Sequence, residues 1–460
     1  VALIKSISGI RGTIGGIPGK NLTPLDIVKF TAAFASAFDQ NSANKKIVIG
    51  RDGRISGSMV SSICANTLLA CGFDVVDLGL TTTPTVEIAV KEEKAAGGII
   101  LTASHNPQEW NALKLLNQDG EFLDAAEGEK VLSIAENEQF HFVPVSKLGK
   151  YRKDDSYLNR HIDMVVNYEL VDVEAIKKAK FKIVVDPVNS SGAIYVPALL
   201  KALGVKDVIT INEDVHGKFE HNPEPLPKNL IGLSNEVTKQ NASLGIAVDP
   251  DVDRLCFVCE DGSMFGEEYT LVAVADYVLG KRKGNTVSNM SSTKSLKEIT
   301  HKHGGEYYPS AVGEVNVVSK MKEVKAVIGG EGNGGIIVPD FHYGRDALIG
   351  IGLFLSHLAH SKKSIKQLRG MYPDYFISKN KITLENNVDV NEIFRKIKDK
   401  YKNNPMNTED GLKIEFGNDW VHLRTSNTEP ILRIYSESNF ETTAENIAKK
   451  IMKDIHEVMS

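Results

Sequence analysis

The chain has 460 residues, too many for a single hydrophobic core, and a prior of roughly one domain per 100–200 residues points to three or four. Apolar residues make up 42% and charged residues 25%, which excludes disordered, collagen-like and fibrous classes. A formal net charge of -5 with no dense Lys/Arg tract excludes a nucleic-acid footprint, and no apolar run reaches the roughly 20 residues of a membrane span or the pattern of a secretory leader, so a cytoplasmic protein is expected.

Along the chain, Thr23-Pro24-Leu25-Asp26 supplies an N-cap, a proline at the first helical position and a first-turn acid, and predicts a helix through Phe38. Ile47 to Gly50 reads as a buried strand, Ser58 to Cys71 as a helix stopped at Gly72, and Val75 to Leu78 and Gly98 to Leu101 as further strands. This alternation is that of an α/β sheet, whose ligand loops gather at strand ends. Ile183-Val184-Val185-Asp186-Pro187 and Ile246-Ala247-Val248-Asp249-Pro250 each run an apolar strand into Asp-Pro, with Val48-Ile49-Gly50-Arg51-Asp52 a looser copy, so three related α/β domains are expected. Cys256 and Cys259 form a C-x-x-C inside Leu-Cys-Phe-Val-Cys with no second pair to complete a zinc site, and are expected to be packed thiols. Leu412 to Phe416, Val421 to Arg424 and Ile431 to Ser436 read as antiparallel strands before a helix with Ala444, Ile447, Ala448, Ile451, Met452 and Ile455 on one face, a smaller α+β domain. Limits near 150–157, Arg254 and 373–379 give domains of residues 1–153, 154–253, 254–373 and 374–460.

Four loops carry chemistry. Thr102-Ala103-Ser104-His105-Asn106-Pro107 follows a buried strand and exposes a serine before a proline, a plausible phosphoryl carrier, although alone it is ordinary turn chemistry. In Asp249-Pro250-Asp251-Val252-Asp253-Arg254, acids at alternate positions can converge on one hard cation. A calcium loop starts the same way, but Arg254 stands where its sixth-position glycine belongs. Gly330-Glu331-Gly332-Asn333-Gly334-Gly335 lets backbone approach a ligand, with Glu331 and Asn333 suited to vicinal sugar hydroxyls, and it is neither a Walker loop nor a dinucleotide fingerprint. Arg424-Thr425-Ser426-Asn427-Thr428-Glu429-Pro430 offers a guanidinium fork, hydroxyls and turn amides for a phosphate dianion, with Arg433 on the following strand.

In this order the four loops resemble the α-D-phosphohexomutase superfamily over nearly the whole chain, as do Ile10-Arg11-Gly12-Thr13 and Asn111-Ala112-Leu113-Lys114. The resemblance implies three similar α/β domains with mixed sheets and a smaller α+β fourth domain around a central cleft. Within the superfamily the glycine loop looks most like the archaeal-type phosphoglucosamine mutases, whereas common bacterial glucosamine and mannose/glucose enzymes carry serine and histidine where this chain has Asn333 and Gly335.

What the resemblance implies is a hexose 6-phosphate/hexose 1-phosphate mutase, with glucosamine phosphate expected ahead of glucose or mannose phosphate. Ser104 would carry the phosphoryl group and share Mg²⁺ with Asp249, Asp251 and Asp253, and a hexose 1,6-bisphosphate would be both intermediate and activator. Arg254, Arg11 and Lys114 would shield phosphoryl oxygens, Glu331 and Asn333 would orient the ring, and Arg424, Ser426, Asn427, Thr428 and Arg433 would grip the second phosphate. Lys114 is the first choice and His105 the second for the sugar's proton. Expected partners are small sugar phosphates, without nucleic acid or membrane, for a monomer or homodimer. Two alternatives are a haloacid-dehalogenase-like phosphatase or mutase with Asp249 as nucleophile, and a non-catalytic sugar-phosphate binder.

Overall fold

The computed structural model describes residues 3–6, 9–39, 42, 44–384, 389–426 and 431–459. Its strands gather into four sheets. In the first, Lys46–Arg51 lies between Asp74–Leu80 and Gly97–Leu101, parallel to both, and Trp110–Leu116 returns antiparallel to Gly97–Leu101. The second repeats this plan with Lys182–Asp186 between Asp207–Thr210 and Leu244–Val248, and Leu255–Cys259 returning. The third does so with Asn285–Asn289 between Tyr307–Ser310 and Ala326–Glu331, and Gly335–Ile337 returning. Gly9–Thr13 and then Ile4–Ser6 extend the first sheet beyond Trp110–Leu116, and Tyr151–Lys153 closes its other edge. The three domains are therefore copies of one mixed-sheet unit, and the chain has the expected four-domain α/β architecture.

This repetition places the chemistry. The serine, aspartate and glycine loops are each the turn between a parallel strand's carboxyl end and its antiparallel return, one equivalent position in three copies. Ligand loops of open α/β sheets collect at such ends. The strands feeding the serine and aspartate loops, Gly97–Leu101 and Leu244–Val248, are buried throughout because helices cover both faces, so they read as unbroken apolar runs.

The Asp-Pro repeat in the sequence has a different meaning from the one expected. Ile183 to Pro187 and Ile246 to Pro250 contribute adjacent parallel strands of one sheet, not equivalent strands of two domains, and the matching strings reflect their shared burial. The limit expected after Asp253 falls inside a hairpin, since Leu255–Cys259 pairs with Leu244–Val248. Ahead of the glycine loop, the helix Glu314–Val324 stops on left-handed Lys325 and the strand begins at Ala326.

Local signals otherwise act as the residues dictate. Thr23 and Asp26 close a capping box on the helix Pro24–Ala37, and Gly72, with φ +82°, follows the helix Gly57–Ala70. One apolar core runs through the second and third domains, where Phe354 of the helix Ala347–Ser361 stacks on Phe257 at 3.8 Å. Cys256 and Cys259 are buried free thiols of that region. The fourth domain lays the helix Glu441–Met459 on an antiparallel sheet ordered Phe376–Thr383, Ile431–Ser438, Asp419–Thr425, Leu412–Phe416 and Met406–Asn407. Among the described residues no helix is long and apolar enough to cross a membrane.

Candidate active site

Ser104 sits at φ +48°, a left-handed conformation costly for a residue with a side chain by about 1–3 kcal/mol. Its surroundings enforce it. The Ser104 N–H donates to Thr102 Oγ1 at 2.9 Å, and its carbonyl accepts from Arg54 Nη2 at 2.5 Å. Arg54 spends all five donors here: Nε on Asp52, Nη1 on the carbonyls of Pro107 and Trp110, and Nη2 on those of Ser104 and Asn106. Asp52 also accepts from Thr102 Oγ1 at 2.6 Å, so one buried ion pair fixes both ends of the serine loop. The Ser104 hydroxyl is thereby aimed at Asp249, donating to Oδ2 at 2.8 Å.

The aspartate loop holds a second strained residue, the fully buried Val252 at φ +61°, where a β-branched side chain is a genuine outlier. Its turn brings ligand atoms of Asp249, Asp251 and Asp253 within 4.8 Å of one another. Each carboxylate has one oxygen anchored by protein. Asp249 Oδ1 accepts from the backbone N–H groups of Asp253 and Arg254, Asp251 Oδ2 from Lys114 at 2.8 Å and Thr83 at 2.6 Å, and Asp253 Oδ2 from Arg345 at 2.8 Å. Asp251 Oδ1 and Asp253 Oδ1 are buried with no partner, while Asp249 Oδ2 faces Ser104. Orphaned carboxylate oxygens beside a hydroxyl, all hard oxygen donors, fit a magnesium ion. Burial, with Asp253 and Asp251 alongside, pushes the Asp249 carboxyl well up. Burial would also raise Asp251, but the Lys114 charge and hydrogen bond together with the Thr83 hydroxyl and Asp249 outweigh it and hold that carboxyl down. Around the site, burial followed by the Arg254 and Arg11 charges drives the His105 imidazole well below its ordinary value. His105 Nδ1 lies 3.4 Å from Ser104 Oγ, Arg11 donates to Asn106 Oδ1 at 3.2 Å, and Arg254 Nε is 4.0 Å from Asp249 Oδ2.

In the glycine loop the close approaches are to protein. A Cβ on Gly334, whose φ is +89°, would stand 2.4 Å from the Leu255 carbonyl, and one on Gly332 would meet the Glu268 carboxylate. Gly334 therefore lets this loop lie against the aspartate hairpin, and Gly332 lets it lie against the helix Glu267–Lys281. Glu331 accepts from Asn289, the Gly313 N–H, Arg345 and Asn333, four donors for two oxygens. Burial would raise its pKa, but Arg345, Asn289, Arg254 and the Gly313 N–H together outweigh it and hold the carboxyl below its usual value. Asn333 Oδ1 caps the Gly335 N–H at 3.2 Å.

On the fourth domain, Arg424 pairs through Nε with Asp410 at 2.7 Å, and Asp410 also accepts from the Val312 N–H of the third domain. Arg433 Nη1 reaches Tyr435 Oη at 3.4 Å and the Ser426 N–H bonds the Ile431 carbonyl, while Asn427 and Thr428 lie outside the described residues. Next to Arg424, buried His422 joins Ser291 through Nδ1 at 2.8 Å and the Asp410 carbonyl through Nε2 at 2.7 Å. That arrangement suits a neutral ring donating from Nε2, and burial brings its pKa down to about 4 from 6.5. A depressed folded-state value gives stability that is full above pH 6.5 and is lost as pH falls through 4. Acidification across that window is expected to cost at most about 3 kcal/mol at roughly 1.4 kcal/mol per unit, and urea unfolding from pH 4 to 7.5 should show a flatter profile for His422→Gln.

Arg54, Thr83 and Arg345 lie outside the four loops; the local signal for the two arginines is a charged residue next to a buried strand end, as in Arg51-Asp52-Gly53-Arg54, or before a buried helix, as in Gly344-Arg345-Asp346, and Thr83 carries none.

Comparison with known proteins gives four consecutive family matches. They are the phosphoglucomutase/phosphomannomutase α/β/α domains I, II and III at residues 4–142, 159–262 and 266–375, and the C-terminal domain at 385–454. The chain is 35% identical over 455 residues to a Thermococcus kodakarensis protein named phosphoglucomutase/phosphomannomutase, covering 97% of this chain and 98% of that one. It is 33% identical over 451 residues to the phosphoglucosamine/phosphogalactosamine mutase of Sulfurisphaera tokodaii, covering 96% and 98%. A crystal structure of a phosphoglucomutase/phosphomannomutase family protein from Burkholderia thailandensis superposes with a TM-score of 0.84 at 24% identity, covering 99% and 97%.

Proposed function

Because this chain belongs to the phosphoglucomutase/phosphomannomutase family of phosphohexomutases, we propose that it interconverts hexose 6-phosphate and hexose 1-phosphate on Ser104, with glucosamine phosphate as its sugar. The observation that carries this reading is the Ser104 hydroxyl 2.8 Å from Asp249, beside the two buried carboxylate oxygens left without partners on Asp251 and Asp253. Asp249 Oδ2, Asp251 Oδ1 and Asp253 Oδ1 would hold Mg²⁺ together with the Ser104 phosphoryl, and the bound cation supplies charge neutralisation at the transferring group.

The remaining work falls to the chain. The bond between Ser104 Oγ and phosphorus breaks as the sugar hydroxyl oxygen bonds phosphorus in line, so positioning and charge dominate. Arg54 fixes the serine backbone, and Arg11 and Arg254 stand near for the phosphoryl oxygens. The sugar's proton must leave that oxygen. Lys114, the first choice from the sequence, is committed to Asp251 at 2.8 Å and Asp253 at 3.6 Å, whereas His105 stands 3.4 Å from Ser104 Oγ, which favours His105. The bisphosphate then turns and its other phosphate returns to Ser104. Arg424, Ser426, Arg433, Asn427 and Thr428 would grip whichever phosphate is not reacting, and Glu331 with Asn333 would orient the ring. For Glu331 that requires a sugar hydroxyl to replace one of its four protein donors.

The glucosamine reading draws on the Sulfurisphaera relative and on Asn333 and Gly335, and the Thermococcus relative supports glucose or mannose phosphate as the alternative. The test compares turnover of glucosamine 6-phosphate, glucose 1-phosphate and mannose 1-phosphate with Mg²⁺ and a hexose 1,6-bisphosphate. Glucosamine 6-phosphate is expected to be fastest; a faster glucose or mannose phosphate removes the sugar, and no turnover of any removes the mutase. Chelation by EDTA should abolish turnover. Adding Mg²⁺ should raise the melting temperature, with about 2.7 kcal/mol of stabilisation at a hundredfold excess over Kd, and Asp249→Asn should remove that gain.

A further inference from the structure

Arg345 precedes the buried helix Ala347–Ser361, and its guanidinium joins three separate elements. Nε donates to Glu314 Oε2 at 2.7 Å, Nη1 to Glu331 Oε2 at 3.0 Å and Nη2 to Asp253 Oδ2 at 2.8 Å. These carboxylates belong to the first turn of the helix Glu314–Val324, the strand leading into the glycine loop, and the aspartate loop. Arg345 is 8% exposed. A planar fork with fixed donor directions can serve all three at once, whereas an ammonium is a point charge on a flexible stem. Arg345 leaves Asp253 Oδ1 open, so it orients that carboxylate without occupying its inward oxygen.

The fork has room because of Gly335. A Cβ there would stand 2.3 Å from Arg345 Cδ and 3.0 Å from its Cγ. The backbone does not call for glycine at this position, since Gly335 is absent from the left-handed residues that include Gly330 and Gly334. Space for the arginine stem is what the missing side chain provides.

We propose that Arg345 is a positioning residue that makes cation binding at the aspartates and sugar-phosphate binding at the glycine loop interdependent, with Gly335 as the position that admits it. The proposal rests on the mutase reading above. Its physical content is a shared tie: a cation that fixes Asp253 fixes the guanidinium, which fixes the plane of Glu331, and the reverse holds by linkage.

The test uses the full chain carrying Ser104→Ala, so that no turnover intervenes. Mg²⁺ and glucosamine 6-phosphate are each titrated calorimetrically in the absence and presence of the other, with glucose 6-phosphate as a second probe. Mg²⁺ is expected to tighten sugar-phosphate binding by about 5-fold or more, and sugar phosphate to tighten Mg²⁺ by the same factor. Arg345→Lys and Gly335→Ala, each added to Ser104→Ala, should reduce the factor to under about 2-fold while the individual affinities stay measurable. A direct contact between cation and substrate phosphate would leave the factor intact in both variants and overturn the proposal, as would its absence in Ser104→Ala alone. Failure of both variants to fold would make Arg345 a purely structural tie and likewise overturn it. The mutase reading falls separately, if wild-type protein turns over none of the hexose phosphates.

Discussion

Ser104→Ala is expected to fold and to lose hexose-phosphate interconversion by about 10⁴-fold or more, because a nucleophile's loss removes the covalent route entirely and the Thr83 hydroxyl, also on the aspartate cluster, is spent on the anchored oxygen of Asp251. Folding should survive because the loop is held through backbone atoms: the residue-104 N–H on Thr102 and its carbonyl on Arg54. Alanine keeps the cost of φ +48°, so Ser104→Gly should be the more stable inactive variant by about 1 kcal/mol in denaturant unfolding. Peptide mapping after incubation with labelled hexose 1,6-bisphosphate should place the phosphate on Ser104 in wild type and nowhere in either variant. An active Ser104→Ala protein labelled on Asp249 would establish the aspartyl-phosphate alternative. Against that alternative, Asp249 Oδ1 is engaged by two backbone amides and Oδ2 by the serine itself.

The alternation of apolar runs and helices made the α/β class legible, because strands buried on both faces are unbroken apolar strings. The domain repeat was harder to read, since Asp186 and Asp249 end neighbouring strands of one sheet, while the equivalent position in three copies is a hairpin turn whose three sequences share nothing. Ser104 and the three aspartates were legible because their chemistry is local, each loop being a few residues long. Arg54 and Arg345 were not: each is one arginine whose decisive partner is far off in the chain, the Ser104 carbonyl 50 residues from Arg54 and Asp253 92 residues from Arg345. The glycine loop was legible as a place of close approach, but what approaches is Glu268, Leu255 and Arg345, which only folding brings there.

Arg54→Met should have the second large effect, and it separates support of the serine loop from its chemistry. The side chains of Arg54 and Asp52 are both fully buried, 3.0 Å apart, with the guanidinium also 5.1 Å from the Phe219 ring of the second domain. Removing one member of such a pair strands the other charge and costs about 3–5 kcal/mol. Four carbonyls, of Ser104, Asn106, Pro107 and Trp110, lose the guanidinium at the same time, with Pro107 keeping the Trp110 N–H. Burial already pushes the Asp52 carboxyl up while Arg54 opposes it, so without the arginine this acid should take up a proton at higher pH. The destabilisation measured in urea should therefore shrink as pH is lowered, whereas a loss of packing alone would be the same at every pH. Asp52→Asn combined with Arg54→Met should recover part of the stability lost in the single variant, because no charge is left stranded. It should not recover turnover: with the Ser104 carbonyl unheld, the strained φ relaxes and the hydroxyl leaves Asp249. Stability restored without activity would locate the contribution of Arg54 to the reaction in the conformation it imposes on Ser104, and activity restored with stability would refute that.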